Sequence, residues 1–148
     1  FHSFPIDIRE AFKMSTTRTI EQLVESVELV DNPVPAADLA RTGKAGMIVV
    51  QPQDMNIRVQ FIEGFWTATA DADAELAASI TVDTSAGRVL GTTASGDSSA
   101  TGGAGTLCDG GGRVIGEATE KALEELLGQI GERFANSPRL REGLAGTR

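Results

Sequence analysis

The chain has 148 residues and 15.5 kDa, with 13 Lys and Arg against 21 Asp and Glu, a formal net charge of -8 and a pI near 4.6. That size fits one domain able to bury a core without disulfide or metal staples, and the acidic field opposes binding to a nucleic-acid backbone. A single cysteine, Cys108, excludes an intramolecular disulfide, and a single histidine, His2, leaves any Cys/His or Ser/His/Asp apparatus dependent on a residue beside the terminus.

Residues 1–14 mix apolar and charged positions, and Ile6 and Ile8 alternate with Asp7 and Arg9 in a short strand-like pattern broken by Pro5. Thr19 stands three residues before Gln22 as a capping box. Ile20, Leu23, Val24, Val27 and Val30 follow at helical spacing, so an amphipathic helix is expected to run to just before Asn32-Pro33. Residues 33–44 read as a connector with a short turn of helix at Ala36 to Arg41, and Met47 to Val50 as a short strand stopped by Pro52.

From Met55 the odd positions are apolar (Met55, Ile57, Val59, Phe61), whereas from Trp66 to Val82 the even ones are. A two-residue period is the signature of a pleated strand with one buried face, and the change of parity near Glu63-Gly64 calls for a bulge or turn that returns both apolar sets to the same side. A strand from Trp66 to Val82 would be about 56 Å long at ~3.3 Å per residue, so an interruption near Asp71 to Asp73 is expected. Asp83 to Arg88 has hairpin-turn composition, and Arg88 to Ser95 supplies the returning strand. Residues 96–112, rich in glycine, serine and threonine, read as a flexible crossover.

The last expected element is a helix with the stripe Ile115, Ala118, Ala122, Leu123, Leu126, Ile130 and Phe134, ended by Asn136-Ser137-Pro138, with 137–148 as a tail. The alanines from Ala68 to Ala78 suit close helix approach, and Gly116, Gly128 and Gly131 are expected to permit it from the helix side. The reading is a single domain over 1–148 of α+β class: an antiparallel sheet of about four strands with two main helices packed on one face.

Three groups offer chemistry. Asp71, Asp73 and Glu75 share one strand face, but such neighbours lie nearly 7 Å apart, so a solvated face is expected rather than a metal site. Gly110-Gly111-Gly112 precedes a helix, where free N–H groups could hold an anion, yet the βαβ setting of a dinucleotide site and the Lys-Ser/Thr ending of a phosphate loop are both missing. Phe61, Phe65 and Trp66 could line a pocket. The candidate binding set is therefore Phe61, Phe65, Trp66, Gly110, Gly111 and Gly112. No catalytic set, metal or cofactor is expected, and the chain reads as a non-enzyme.

The run Ala72 to Val82, then Ser85-Ala86-Gly87-Arg88-Val89-Leu90, a glycine-rich crossover, and a closing helix with Ala118, Ala122, Leu123, Leu126 and Leu127 resembles small bacterial envelope lipoproteins. The similarity is to the YajG-like lipoproteins and the auxiliary lipoproteins of ABC-type transport systems, and covers roughly residues 55–136. It is one of pattern, and residues 1–50 and Cys108 have no counterpart in it. It implies a lipid-anchored periplasmic domain that acts without catalysis, through contacts with envelope proteins; the flat, small-residue sheet offers self-association through a sheet edge as a separate expectation. Membrane attachment is expected only through a lipid anchor encoded upstream of Phe1, the chain opening without Met as a processed or trimmed product would. The alternative expectation is a small-molecule binder or enzyme with a pocket beside Trp66 and the Gly110 to Gly112 loop.

Overall fold

The structure is a computed structural model and describes residues 8–105 and 110–145. Its first element, α1 (Arg9–Leu23), starts ten residues before the expected cap and ends earlier than expected. The reason is its buried stripe. Phe12, Thr16 and Ile20 recur at four-residue spacing and face inward, so the helix already takes in Arg9, the last residue of the strand-like stretch, whose Ile6 and Asp7 lie outside the described residues. At the other end Val24 is extended, with φ -130° and ψ 156°, and the β-branched Val24, Val27 and Val30 lie outside the helix, as residues stiff at χ1 tolerate better. The short helix α2 (Ala36–Thr42) is where the sequence puts it, closed by Gly43 in the left-handed region at φ 69°.

Three long strands follow: β1 (Met47–Glu63), β2 (Ala68–Thr84) and β3 (Gly87–Gly105). They form one antiparallel sheet in the order β1-β2-β3. Among the described residues the expected count of about four becomes three because the Met47 and Met55 runs are one strand, with a bulge between Pro52 and Asp54. Pro52 lacks an N–H, and at an edge strand that costs no ladder bond. The expected change of parity near Glu63-Gly64 is made by the two-residue turn after Gly64, and the bulge shifts parity once more within β1. Ile48 and Val50 oppose Val82 and Ile80, and beyond the bulge Met55, Ile57, Val59 and Phe61 oppose Leu76, Ala74, Ala72 and Ala70. All of them thus share the face of the buried even positions of β2.

β2 runs unbroken through Asp71 to Asp73, against expectation. Every even residue from Ala68 to Thr84 is buried, and the odd ones are not. Two flanking strands support its full length, so nothing requires an interruption. The first part of the expected crossover is also strand: Gly96 to Gly105 pairs with Leu76 to Ala68, while residues 106–109 lie outside the described residues. At Gly96 the small residue follows from crowding rather than slackness. A Cβ on Gly96 would lie 2.6 Å from the Leu126 nitrogen and closer still to the Ala122 oxygen. The β2–β3 turn carries Gly87 at φ 122°, and buried Thr84 braces it, its hydroxyl 3.2 Å from the Gly87 oxygen and 3.3 Å from the Ala86 nitrogen.

Helix α3 (Gly111–Ala135) lies across β3 and β2 and buries Val114, Ile115, Ala118, Ala122, Leu126, Ile130 and Phe134. Leu123 is only half-buried, at the margin of the stripe. The close approach comes from the strand side: Gly116, Gly128 and Gly131 have nothing within 4 Å of where a Cβ would sit, so they do not mediate the contact expected of them. α1 packs on α3. The expected tail folds as α4 (Pro138–Ala145). Ser137-Pro138, which stops α3, also starts this helix: the Ser137 hydroxyl accepts the Leu140 N–H at 3.3 Å, and proline suits a first helical position. Leu140 is buried against the sheet.

Candidate functional site: an exposed aromatic hairpin tip

β1 and β2 are joined by a tight turn in which the Gly64 N–H donates to the Thr67 oxygen at 2.8 Å, leaving Phe65 and Trp66 as its two central residues. A Cβ at Gly64 would fall 2.7 Å from that same oxygen, so the turn needs glycine for its close approach. The two rings meet edge to face, with centroids 4.7 Å apart and planes at 88°. Phe65 is 89% exposed and Trp66 81%. Trp66 therefore does not begin the buried face of β2, which starts at Ala68. Ile62, 51% exposed on the solvent side of β1, extends the apolar surface toward the tip.

Phe61 is separated from this pair. It faces inward opposite Ala70 and packs against the rim of the core. The glycines lie at the same end of the sheet: the Gly110 N–H donates to the Ala104 oxygen at 3.0 Å, and Gly105 is the partner of Ala68, the first residue of β2 after the turn. Gly110 caps α3 without a side-chain bond, Gly111 is buried and Gly112 is exposed. An apolar groove of about 250 Å³ does open beside Gly112, between α1 and α3, with Ile8, Phe12, Ile115 and Leu123 in its walls. Phe61, Phe65 and Trp66 take no part in it, so the six candidate residues do not converge on one pocket.

The opposite face of the sheet is polar and open. A depression of about 410 Å³ there is bordered by Asn56, Arg58, Asp73, Glu75, Asp97 and Ser99. Asp73 stands opposite Arg58 and Ser99, and Glu75 opposite Asn56 and Asp97. Among the described residues no group of three His, Cys, Asp or Glu side chains comes together as a metal would require. Among the described residues the ionisable groups with shifted pKa values are exposed and owe the shift to ion pairs. Hydrogen bonds from Lys44 and Lys121 hold the Glu28 and Glu117 carboxyls below their usual range, and Asp83, bonded to Arg88 at 2.9 Å, raises the guanidinium. Cys108 and His2 lie outside the described residues, and no described helix is long and apolar enough to cross a membrane.

What the site can do chemically is offer contact area. Two large apolar rings held by a two-residue turn lose little conformational freedom on docking, and such residues dominate the energetics of protein interfaces. Sequence reasoning named both rings but set them in a pocket wall. The signal for exposure was their position directly after Gly64, at the point where the apolar parity changes. Compared with protein-family models, curated proteins and solved structures, the chain matches none.

Proposed function

We propose that this protein is a non-enzymatic accessory component of the bacterial envelope that works through protein–protein contacts, with the Phe65–Trp66 tip as its principal contact. The observation that carries this reading is the exposure of both rings, 89% and 81%, on a tight turn closed by the Gly64–Thr67 bond. Aromatic residues left in water at a protruding turn are the kind of side chain that forms interface hot spots. The envelope setting, a periplasmic domain with a lipid anchor supplied upstream, rests on the pattern resemblance of residues 55–136.

A photo-crosslinking residue placed at Trp66 in the precursor, expressed in bacterial cells, tests the reading. Adducts of discrete mass in the envelope fraction are expected from position 66 and not from Ser99, an exposed residue on the solvent face of the sheet. No adduct at 66, or equal adducts at both positions, overturns it. A second reading, an apolar small molecule held in the groove beside Gly112, draws on that groove's lining. It predicts instead that Gly112→Leu abolishes function while Trp66→Ser leaves it intact.

A further inference from the structure

The two edges of the sheet are finished differently. Along β3 the outward N–H groups of Ser95 and Asp97 are taken by side chains of α3: Gln129 accepts the first and Glu125 the second, each at 3.1 Å. Around Ser95 and Asp97 that edge is closed by the helix lying on it. The direction of the main-chain groups on β1 follows from the turn. Gly64 and Thr67 form a bonded pair, and bonding alternates along an antiparallel ladder, so Asn56 and Arg58 turn their N–H and C=O groups toward β2 while Met55, Ile57 and Val59 turn theirs away. Among the described residues, none bonds to the outward groups of those three. Such an edge is a template for one more strand.

We infer that this edge pairs with the same edge of a second copy of the chain, antiparallel, about a two-fold axis at Ile57. In that register Ile57 meets its own counterpart, and Met55 of each copy exchanges bonds with Val59 of the other. About six main-chain hydrogen bonds result. The surface is self-complementary in the way a closed two-fold interface demands. On the inner face Met55, Ile57 and Val59 are half-buried, and the partner's same three residues extend their apolar strip. On the outer face Asp54 opposes Gln60 and Asn56 opposes Arg58, with Asp54 of one copy diagonal to Arg58 of the other. An axis at Arg58 would instead put two guanidinium groups face to face, which is unfavourable. The bulge between Pro52 and Asp54 ends the pairing and stops the edge from recruiting strand indefinitely.

The biological use of such a dimer rests on the contact-based reading above, but its formation does not. Because each copy carries a net charge of -8, repulsion between copies opposes assembly, and added salt should tighten it. Sedimentation at about 100 µM, where a micromolar interface is filled, should give twice the 15.5 kDa mass, falling to a single mass on dilution. Ile57→Pro removes an outward N–H without touching a bond to β2, and should remain single at every concentration. Hydrogen exchange on the unaltered chain provides the second reading: the Met55, Ile57 and Val59 amides should be protected at high concentration and unprotected when dilute, with Arg58 protected in both. A single mass for the unaltered chain at about 100 µM overturns the inference, as does an Ile57→Pro variant that still dimerises or a dimer whose three outward amides exchange freely. Should Ile57→Pro fail to fold, the exchange comparison decides alone. Trp66 crosslinking is independent of this result, so failure of the dimer and failure of the tip are told apart.

Discussion

Replacing Gly96 with alanine puts a methyl group where α3 meets the sheet. The added carbon would stand 2.6 Å from the Leu126 nitrogen and 3.1 Å from the Ala122 carbonyl carbon, both main-chain atoms that no rotamer change can move. Restoring ordinary contact requires the helix to retreat by roughly 1 Å, and a gap of that size forfeits a quarter to a half of the dispersion well of each pair it separates. Overpacking of this kind costs about 1–3 kcal/mol, and the absence of a yielding side chain puts Gly96 at the upper end. The smaller entropy of an unfolded alanine returns about 0.4–1 kcal/mol. The net expectation is a loss of about 2 kcal/mol, or roughly 4–8 °C in Tm for a chain of this size. Gly103→Ala, on the same strand with nothing within 4 Å, is the control and should be neutral or slightly stabilising. Thermal melts followed by circular dichroism compare the two. Equal midpoints would refute the claim that α3 rests directly on the β3 backbone at Gly96.

Ala78→Glu should bury a charge in a fully enclosed position and cost several kcal/mol, whereas Ser79→Glu, one residue on and partly exposed, should change denaturant stability by less than about 0.5 kcal/mol. Gly128→Ala adds a methyl group to open space in mid-helix and should stabilise by about 0.5–1 kcal/mol in urea titration. The Glu117 carboxyl is held below its ordinary value of 4.5 first by a hydrogen bond from Lys121 and then by that residue's charge. A lowered folded pKa means stability present at neutral pH and lost as the pH falls from about 4.5 through the folded value. The stability difference between the unaltered chain and Lys121→Met, small for so exposed a pair, should therefore close on acidification. A difference that persists at pH 2 counts against this.

The alternation of Ala68 to Val82 and the stripe of α3 were legible because each period is held long enough to mark one buried face. The ends of elements were not. Trp66 continues the even parity but belongs to a turn, since periodicity cannot tell a last buried position from a first exposed one. Gly96 to Gly105 has the composition of a linker, yet its small residues are what lets a helix lie against a strand, a constraint that exists only between elements distant in sequence. Pro52 suggested a strand end because its missing N–H would break a ladder, and only the place of β1 at the edge removes that penalty. The α1 boundary failed similarly: Phe12-Thr16-Ile20 includes a threonine, and a buried polar residue hides a stripe. In the candidate site, residue types were readable and their convergence was not. Phe61 went to the core, Phe65 and Trp66 to solvent, and the glycines to the base of α3.

Whether this protein acts by surface contact rather than by chemistry is decided by complementation of a strain lacking it. Phe65→Ser with Trp66→Ser should fold with a Tm close to that of the unaltered chain, because both rings lie outside the core, and should fail to restore function. Cys108→Ser should restore it fully. A tip variant that complements would show that the rings are not the contact, and a folded Cys108→Ser protein that does not complement would point to chemistry at the thiol.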